Sequence, residues 1–571
     1  MIRRILPLVA FLLFLVLAVD TITGFAKVQE AESIQLVAVE NPSEADLILF
    51  QESGASAYAS LSGPDGDFLV GEADEKELPE LGSAGLRIRI LSKNIEYKSY
   101  YIVLTKASLP MPDWDQYGVI LLNDGYHVLL EVDSSAESKM ESFSLPAQRL
   151  SMEPIVLSSE NSSGRFPDTI EPDPAVQIMM DQVLSSTLHH YVGQLSGEEH
   201  VRDIDAPYVI ETRYTYSGEP IQQAVSFVSD HLVDLNLDVE HQTWGGSGYP
   251  NVIGEMTGET HPEDIYLITA HLDSTVRSPE NPYVNAPGAD DNASGSAGVM
   301  TAADIFSQYR WGCTLRFAFF TGEEQGLYGS DAYSARAVSQ GENIIGVLNM
   351  DMLGYNSPGS ERRIDLEGSY NAAPASMDIA YLFAEIIADY SIDLIPDVVS
   401  GTCCSDHVPF LQDGIPAILA IEDFGDFNPA YHSTGDLLEI IDMDYYTDLV
   451  KASVGTFAHM SDCQVGFIDG YVRAEEDGDP ISNANIKLSD ADGGEFFTTT
   501  DSSGYYTAPI DVGTYTVTVT AASFVPTHTT NIDIAFMETT SHDFELVRAD
   551  WFVYFPLVPS DDQFLTRGLI Q

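Results

Sequence analysis

The residues best suited to chemistry fall in one stretch, from His271 to Asp351, with an outlying histidine at His432. They come in clusters: His271-Leu272-Asp273-Ser274, Asp290-Asp291-Asn292, Glu323-Glu324, Asn349-Met350-Asp351 and Tyr431-His432. Imidazole and carboxylate are the nitrogen and oxygen donors that hold divalent metal. A pair of Zn²⁺ ions about 3.5–4 Å apart needs a carboxylate to bridge them and further N/O ligands to complete each ion. A free carboxylate must also stand by to take a proton from water. His271, Asp291, Glu324, Asp351 and His432 can supply five ligands, which leaves Glu323 as the base. Asp273, two residues after His271, can orient that imidazole. One such cluster means little in a chain with 88 acidic residues, but five in order carry weight.

The elements that must position these groups are legible as apolar runs. Residues 265–270, 315–320 and 344–348 are β-branched or aromatic and of strand length. Each ends just before a cluster, so His271, Glu323/Glu324 and Asp351 are expected at the carboxyl edge of a sheet, where open α/β sheets bind ligands. Asn292 is expected to cap a helix over 293–307, whose positive end would favour ionised Asp291. Asp173-Pro174 reads as the N-cap and first residue of another helix, which would carry His189 and His190 as packing or exposed residues. Further helices are expected over 220–235, with Ile221, Ala224, Val225, Val228 and Leu232 on one face, and over 442–460. A buried strand is expected over 415–421.

The motifs resemble those of the zinc aminopeptidase family that includes bacterial leucyl aminopeptidases and aminopeptidase Y. That family carries H-x-D-S, D-[DN]-x-x-S-G, G-E-E-x-G-L-x-G-S and N-x-D-M motifs and a late histidine. Here they stand as His271–Ser274, Asp291–Gly295, Gly322–Ser330, Asn349–Met352 and His432. The resemblance implies a three-layer α/β/α sandwich with a mixed sheet over residues 174–463, and two zinc ions. Asp291 would bridge them, His271 and Asp351 would complete one, and Glu324 and His432 the other. Glu323 would be the general base, Tyr431 would steady the oxyanion, and a metal-bridging hydroxide would attack peptide substrates at their N-terminal residue. Asp273 and Asp406, the latter in Ser405-Asp406-His407, are expected behind the ligands, and His407 as structural.

Composition bounds the rest. With 25 Lys and Arg against 88 Asp and Glu, a net charge of −63 argues against nucleic acid or anionic membrane as partners. The first 26 residues have a basic start, an apolar core and a small-residue end, which predicts a signal peptide, a secreted protein and no membrane insertion after cleavage. The four cysteines allow three pairings, and a bond between the neighbours Cys403 and Cys404 would be strained.

Two β-rich segments flank the α/β core. Residues 27–155 suggest strands at 36–39, 46–50, 86–91, 100–104, 118–122 and 126–132, the last two joined at Asn123-Asp124-Gly125 as a hairpin. Residues 156–173 read as a linker. From 466 to 548 the period is two, with strands at 470–472, 484–488, 496–500, 505–507 and 514–520, resembling the regulatory-like β-sandwich of carboxypeptidases. A tail, 549–571, carries an aromatic run at Trp551–Phe555. Alternatives from other classes are a carboxypeptidase or aminoacylase of the same ligand order, a glutaminyl cyclase with a single zinc, and a silent binding protein. The intact ligand set and the 80 residues between Asp351 and His432, too few for a dimerisation insert, favour the aminopeptidase.

Overall fold

The computed structural model describes residues 34–549, apart from 94, 96–97, 106–111, 134–136, 141–146, 158–165, 167–169, 202–207, 246–247 and 492. The signal peptide and the aromatic run of the tail lie outside the described residues. No helix among the described residues is long and apolar enough to cross a membrane.

At the centre is an eight-stranded mixed sheet. Its strands are β9 (Asp238–Trp244), β10 (Tyr249–Met256), β11 (His261–His271), β12 (Cys313–Phe320), β13 (Asn343–Met350), β14 (Arg363–Gly368), β15 (Ile395–Ser400) and β16 (Ala417–Glu422). Their order is β15-β14-β16-β13-β11-β12-β10-β9. β11 runs parallel to β12 and β13, and β13 parallel to β16. β9 pairs antiparallel with β10, β10 with β12, and β14 with β16.

The period of two sorts the side chains of these strands to opposite faces. On β11 and β12, Ile268, Ala270, Phe317 and Phe319 join the core made with helices Gly295–Phe306, Ala375–Asp389 and Met443–Ser461. The alternate residues Leu267, Ala318 and Phe320 face the other way, toward Tyr333 of helix Tyr328–Gln340 and Phe410 of helix His407–Gln412. Helices thus cover both faces of the sheet.

Four more sheets flank it. The N-terminal segment has two: β1 (Ile34–Glu40), β2 (Ser56–Gly63), β3 (Gly66–Asp74) and β4 (Ile88–Ser92) form one. β5 (Ser99–Leu104), β6 (Val119–Asn123), β7 (His127–Val132) and β8 (Ala147–Arg149) form the other. β6 and β7 make the expected hairpin, with Gly125 at φ 95°. The C-terminal segment from Val465 packs two four-stranded sheets around Ile468, Ile486, Tyr515 and Val517.

Several local expectations are corrected. Residues 46–50 are not a strand but lie in helix Glu44–Glu52, because Ser43 and Asp46 form a reciprocal capping box. Asp173 does cap helix Pro174–Asp181, but that helix ends at Gln182, and a second one, Ser185–Leu195, carries His189 and His190. The regular helix after the Asp291 loop is Gly295–Phe306, and Asn292 caps its start as expected, its Oδ1 accepting the Gly295 N–H three residues on at 2.8 Å. Cys403 and Cys404 are bonded to each other, and Cys313 to Cys463.

Candidate active site

His271 is the last residue of β11 and Asp351 the first after β13, so adjacent parallel strands set them side by side. His271 Nε2 lies 3.2 Å from Asp351 Oδ1 and 3.3 Å from Asp291 Oδ1. The other oxygen of Asp291 faces elsewhere: His432 Nε2 lies 3.1 Å from Asp291 Oδ2 and 2.8 Å from Glu324 Oε2. Two donor triads result, His271–Asp291–Asp351 and Asp291–Glu324–His432, with Asp291 in both.

The fit of this donor set to divalent metal is tested by its own electrostatics. Glu324 Oε1 is buried with no hydrogen-bond donor. Burial and neighbouring carboxylates push Glu324 up to about 7 despite His432, and Glu323 well above the ordinary carboxylate range. Bringing like charges together out of water in this way is costly unless cations sit among them. N/O donors in two triads suit that role.

The imidazole of His271 is fixed on its far side. Its Nδ1 lies 3.1 Å from the main-chain carbonyl of Asp273 and 3.7 Å from the Asp273 carboxylate. That carboxylate accepts the Thr215 hydroxyl at 2.7 Å and the Glu323 N–H at 3.3 Å, linking the histidine strand to the glutamate loop. Ser405 donates to Asp351 Oδ2 at 2.6 Å and accepts from Asn349, which accepts from Thr269 at 3.0 Å. Asp406 accepts the Ser330 hydroxyl and so ties its loop to the helix after the glutamates. His407, fully buried, lies 3.4 Å from Glu367 and belongs to neither triad.

The sequence reading missed three residues. Arg213 is fully buried and donates to four main-chain carbonyls, those of Leu195, Leu272, Pro287 and Gly288, at 2.6–2.8 Å. It thereby joins the end of β11 to the loop that carries Asp291. Asp436 accepts the N–H groups of Asp290 and Asp291. Arg277 stacks on Tyr431, 4.6 Å from its ring centre, while Tyr431 stacks on His432 at 3.8 Å. Each sits among other charged residues, Arg213 beside Glu211, Arg277 near Glu280 and Asp436 near Glu439, so none carried a local signal.

Met352, Cys404 and His432 hold positive φ of 50°, 78° and 55°. Such conformations cost about 1–3 kcal/mol each and persist where surrounding structure enforces them, commonly at functional sites. All three line or adjoin one narrow, partly open cavity. Its polar wall is His271, Asp291, Glu323, Asp351 and Tyr431.

Residues 251–455 match the model of peptidase family M28, and 468–547 that of the carboxypeptidase regulatory-like domain. A probable leucine aminopeptidase of Trichophyton verrucosum is 30% identical over 285 residues, 48% of this chain and 75% of that protein. The chain belongs to peptidase family M28. Both donor triads and Glu323 lie inside the family match. A probable aminopeptidase of Saccharomyces cerevisiae is also 30% identical, over 43% of this chain and 66% of its own length. The crystal structure of an aminopeptidase from Legionella pneumophila aligns over 64% of this chain and 98% of its own, at 18% identity and a TM-score of 0.47.

Proposed function

We propose that this M28 peptidase is a secreted two-zinc aminopeptidase. The observation that carries the reading is the Asp291 carboxylate, whose two oxygens face different histidine–carboxylate pairs. His271 and Asp351 would hold one ion, Glu324 and His432 the other, and Asp291 both. Zinc, when bound, acidifies water and polarises a carbonyl.

The chain's own groups supply the remaining steps. Glu323, on the cavity wall and linked to Asp273 through its main chain, takes the proton of the attacking water and hands it to the leaving amine. The Tyr431 hydroxyl, held by the stacked Arg277 and His432, donates to the oxyanion of the tetrahedral intermediate. The cavity is lined beyond the ligands by apolar side chains, which suits the side chain of a substrate's first residue. Relatives carrying the name leucine aminopeptidase support this choice of substrate end.

The test is metal analysis beside peptide hydrolysis. The purified protein should hold about two zinc ions, as a co-catalytic pair requires. It should cleave peptides with a free N-terminus and spare N-acetylated ones, with C-terminal amidation indifferent. Equal cleavage of free and acetylated peptides would rule out an aminopeptidase, and a single ion after saturation would favour cyclase-like chemistry.

A further inference from the structure

The apolar wall of the cavity is not built by the family domain alone. Met352, Leu419, Ile421, Phe424 and Phe427 come from the loops and strand ends of the central sheet, but Leu104 comes from the end of β5 in the N-terminal segment. Leu104 is 5% exposed and belongs to one continuous apolar cluster with Met352, Leu419, Ile421 and Phe424. Behind it the same cluster runs through Ile102 and Leu61 into the N-terminal sheets.

The N-terminal segment also grips the loop that carries Cys404, a further lining residue. Leu61 bridges to Gly401, and Ser60 donates its N–H to the Thr402 hydroxyl at 2.9 Å. Gln148 of β8 accepts the Cys404 N–H, and Asn371 donates to the Ser60 hydroxyl at 2.7 Å. On its other side Gly401 packs against the central sheet, where a Cβ would stand 2.7 Å from Glu367 Oε1. The position of Leu104 against the cavity is therefore fixed from both sides.

We propose that Leu104 is a specificity-determining residue: the N-terminal segment closes the apolar end of the substrate cavity, and side-chain volume at position 104 sets how large a first residue is accepted. This rests on the aminopeptidase reading of the cavity. One methylene in an apolar pocket changes discrimination by about 10–200-fold, so a change of several carbons at position 104 is large enough to read.

The test uses the full chain with Leu104→Trp, Leu104→Ala and the volume-conserving Leu104→Met. Peptides beginning with alanine or phenylalanine are compared by kcat/KM, and binding of free alanine and phenylalanine is measured by calorimetry. Leu104→Trp should lower the phenylalanine-to-alanine ratio at least tenfold, chiefly through KM. Leu104→Ala should shift the ratio the other way, and Leu104→Met should leave it within about threefold, as isosteric swaps in apolar sites are tolerated. Thermal melting and zinc content identify a variant that fails to fold, and the Leu104→Ala arm then decides alone. Normal aminopeptidase activity with the same ratio in every variant overturns the proposal. If the wild type cleaves no free-amino peptide, the proposed function fails instead, and calorimetry still decides whether position 104 faces an amino-acid side chain. Unchanged or absent phenylalanine binding in all variants overturns it there too.

Discussion

The Asp436 carboxylate accepts the Asp291 N–H at 3.0 Å through one oxygen, while its other oxygen accepts the N–H of Asp290 at the same distance. A carboxylate that uses both oxygens on successive amides fixes the peptide plane from which the shared ligand projects. Asp436→Asn puts an N–H₂ group against one of those amides, donor against donor. Substitution of such supporting partners typically costs about 10–100-fold in metal affinity or activity. Asp436→Asn should weaken zinc binding by that order in a competition titration, with melting lowered far less than activity. Unaltered zinc affinity would show that Asp436 does not position Asp291.

The C-terminal sheets attach at the end of the central sheet away from the site. Asp511 accepts from Thr260 at 2.6 Å and pairs with His261 at 2.8 Å, at the start of the strand that ends in His271. At about 3.3 Å per residue, β11 separates the two ends by roughly 30 Å. Deleting residues 466–571 should therefore leave kcat for short peptides within about twofold, since remote surface changes rarely reach a site. It strips Phe536 from Trp311, however, so the melting temperature should fall. A folded truncation without activity would place part of the site in these sheets.

A third prediction concerns pH. In the β6–β7 hairpin, His127 Nδ1 lies 2.8 Å from Asp124 Oδ2, both side chains buried. Burial lowers His127, but the hydrogen bond and charge of Asp124 outweigh it and raise it above 6.5; burial raises Asp124, but His127 and two main-chain amides outweigh it and lower it below 3.8. The raised histidine stabilises the fold below about pH 6.5 and loses that contribution as pH climbs through its folded value. The depressed aspartate stabilises above about pH 4 and loses it in acid. The gap in melting temperature between wild type and His127→Gln should thus be wide at pH 5.5 and narrower at pH 9. An equal gap at both values would mean that the histidine is neutral throughout.

His271, Glu324 and Asp351 were legible because each comes just after or at the end of an apolar run, and a strand end needs no knowledge of distant chain. Even so, the runs understated their strands: β11 begins at His261, where His261, Glu263 and Asp264 break the apolar pattern. What the sequence hid acts across long separations. Asp436 reaches back 145 residues to Asp291, and Arg213 reaches forward 75 to Gly288. Neither carries a local pattern that distinguishes it from other charged residues. Likewise, nothing in the run ending at Leu104 reveals that its apolar cluster takes in Met352, Leu419, Ile421 and Phe424, about 250 residues or more further on. The helix at Glu44–Glu52 was misread because its burial alternates weakly and its one clear marker, the Ser43–Asp46 box, is a side-chain contact rather than a hydrophobic period.

The adjacent glutamates separate proton transfer from metal binding. Glu324 Oε2 stands 2.8 Å from His432 Nε2, within a donor triad, whereas Glu323 lines the cavity and belongs to neither triad. Glu323→Gln keeps the shape and removes a proton acceptor. It should retain both zinc ions and lose about 10²–10⁴-fold in kcat, the usual worth of general base catalysis, with KM little altered. Glu324→Asn shortens and neutralises a ligand, so it should lose zinc first, and added zinc should restore part of the activity. Metal content after dialysis distinguishes the two before any rate is measured. Loss of zinc from Glu323→Gln with two ions kept by Glu324→Asn would reverse the assignment.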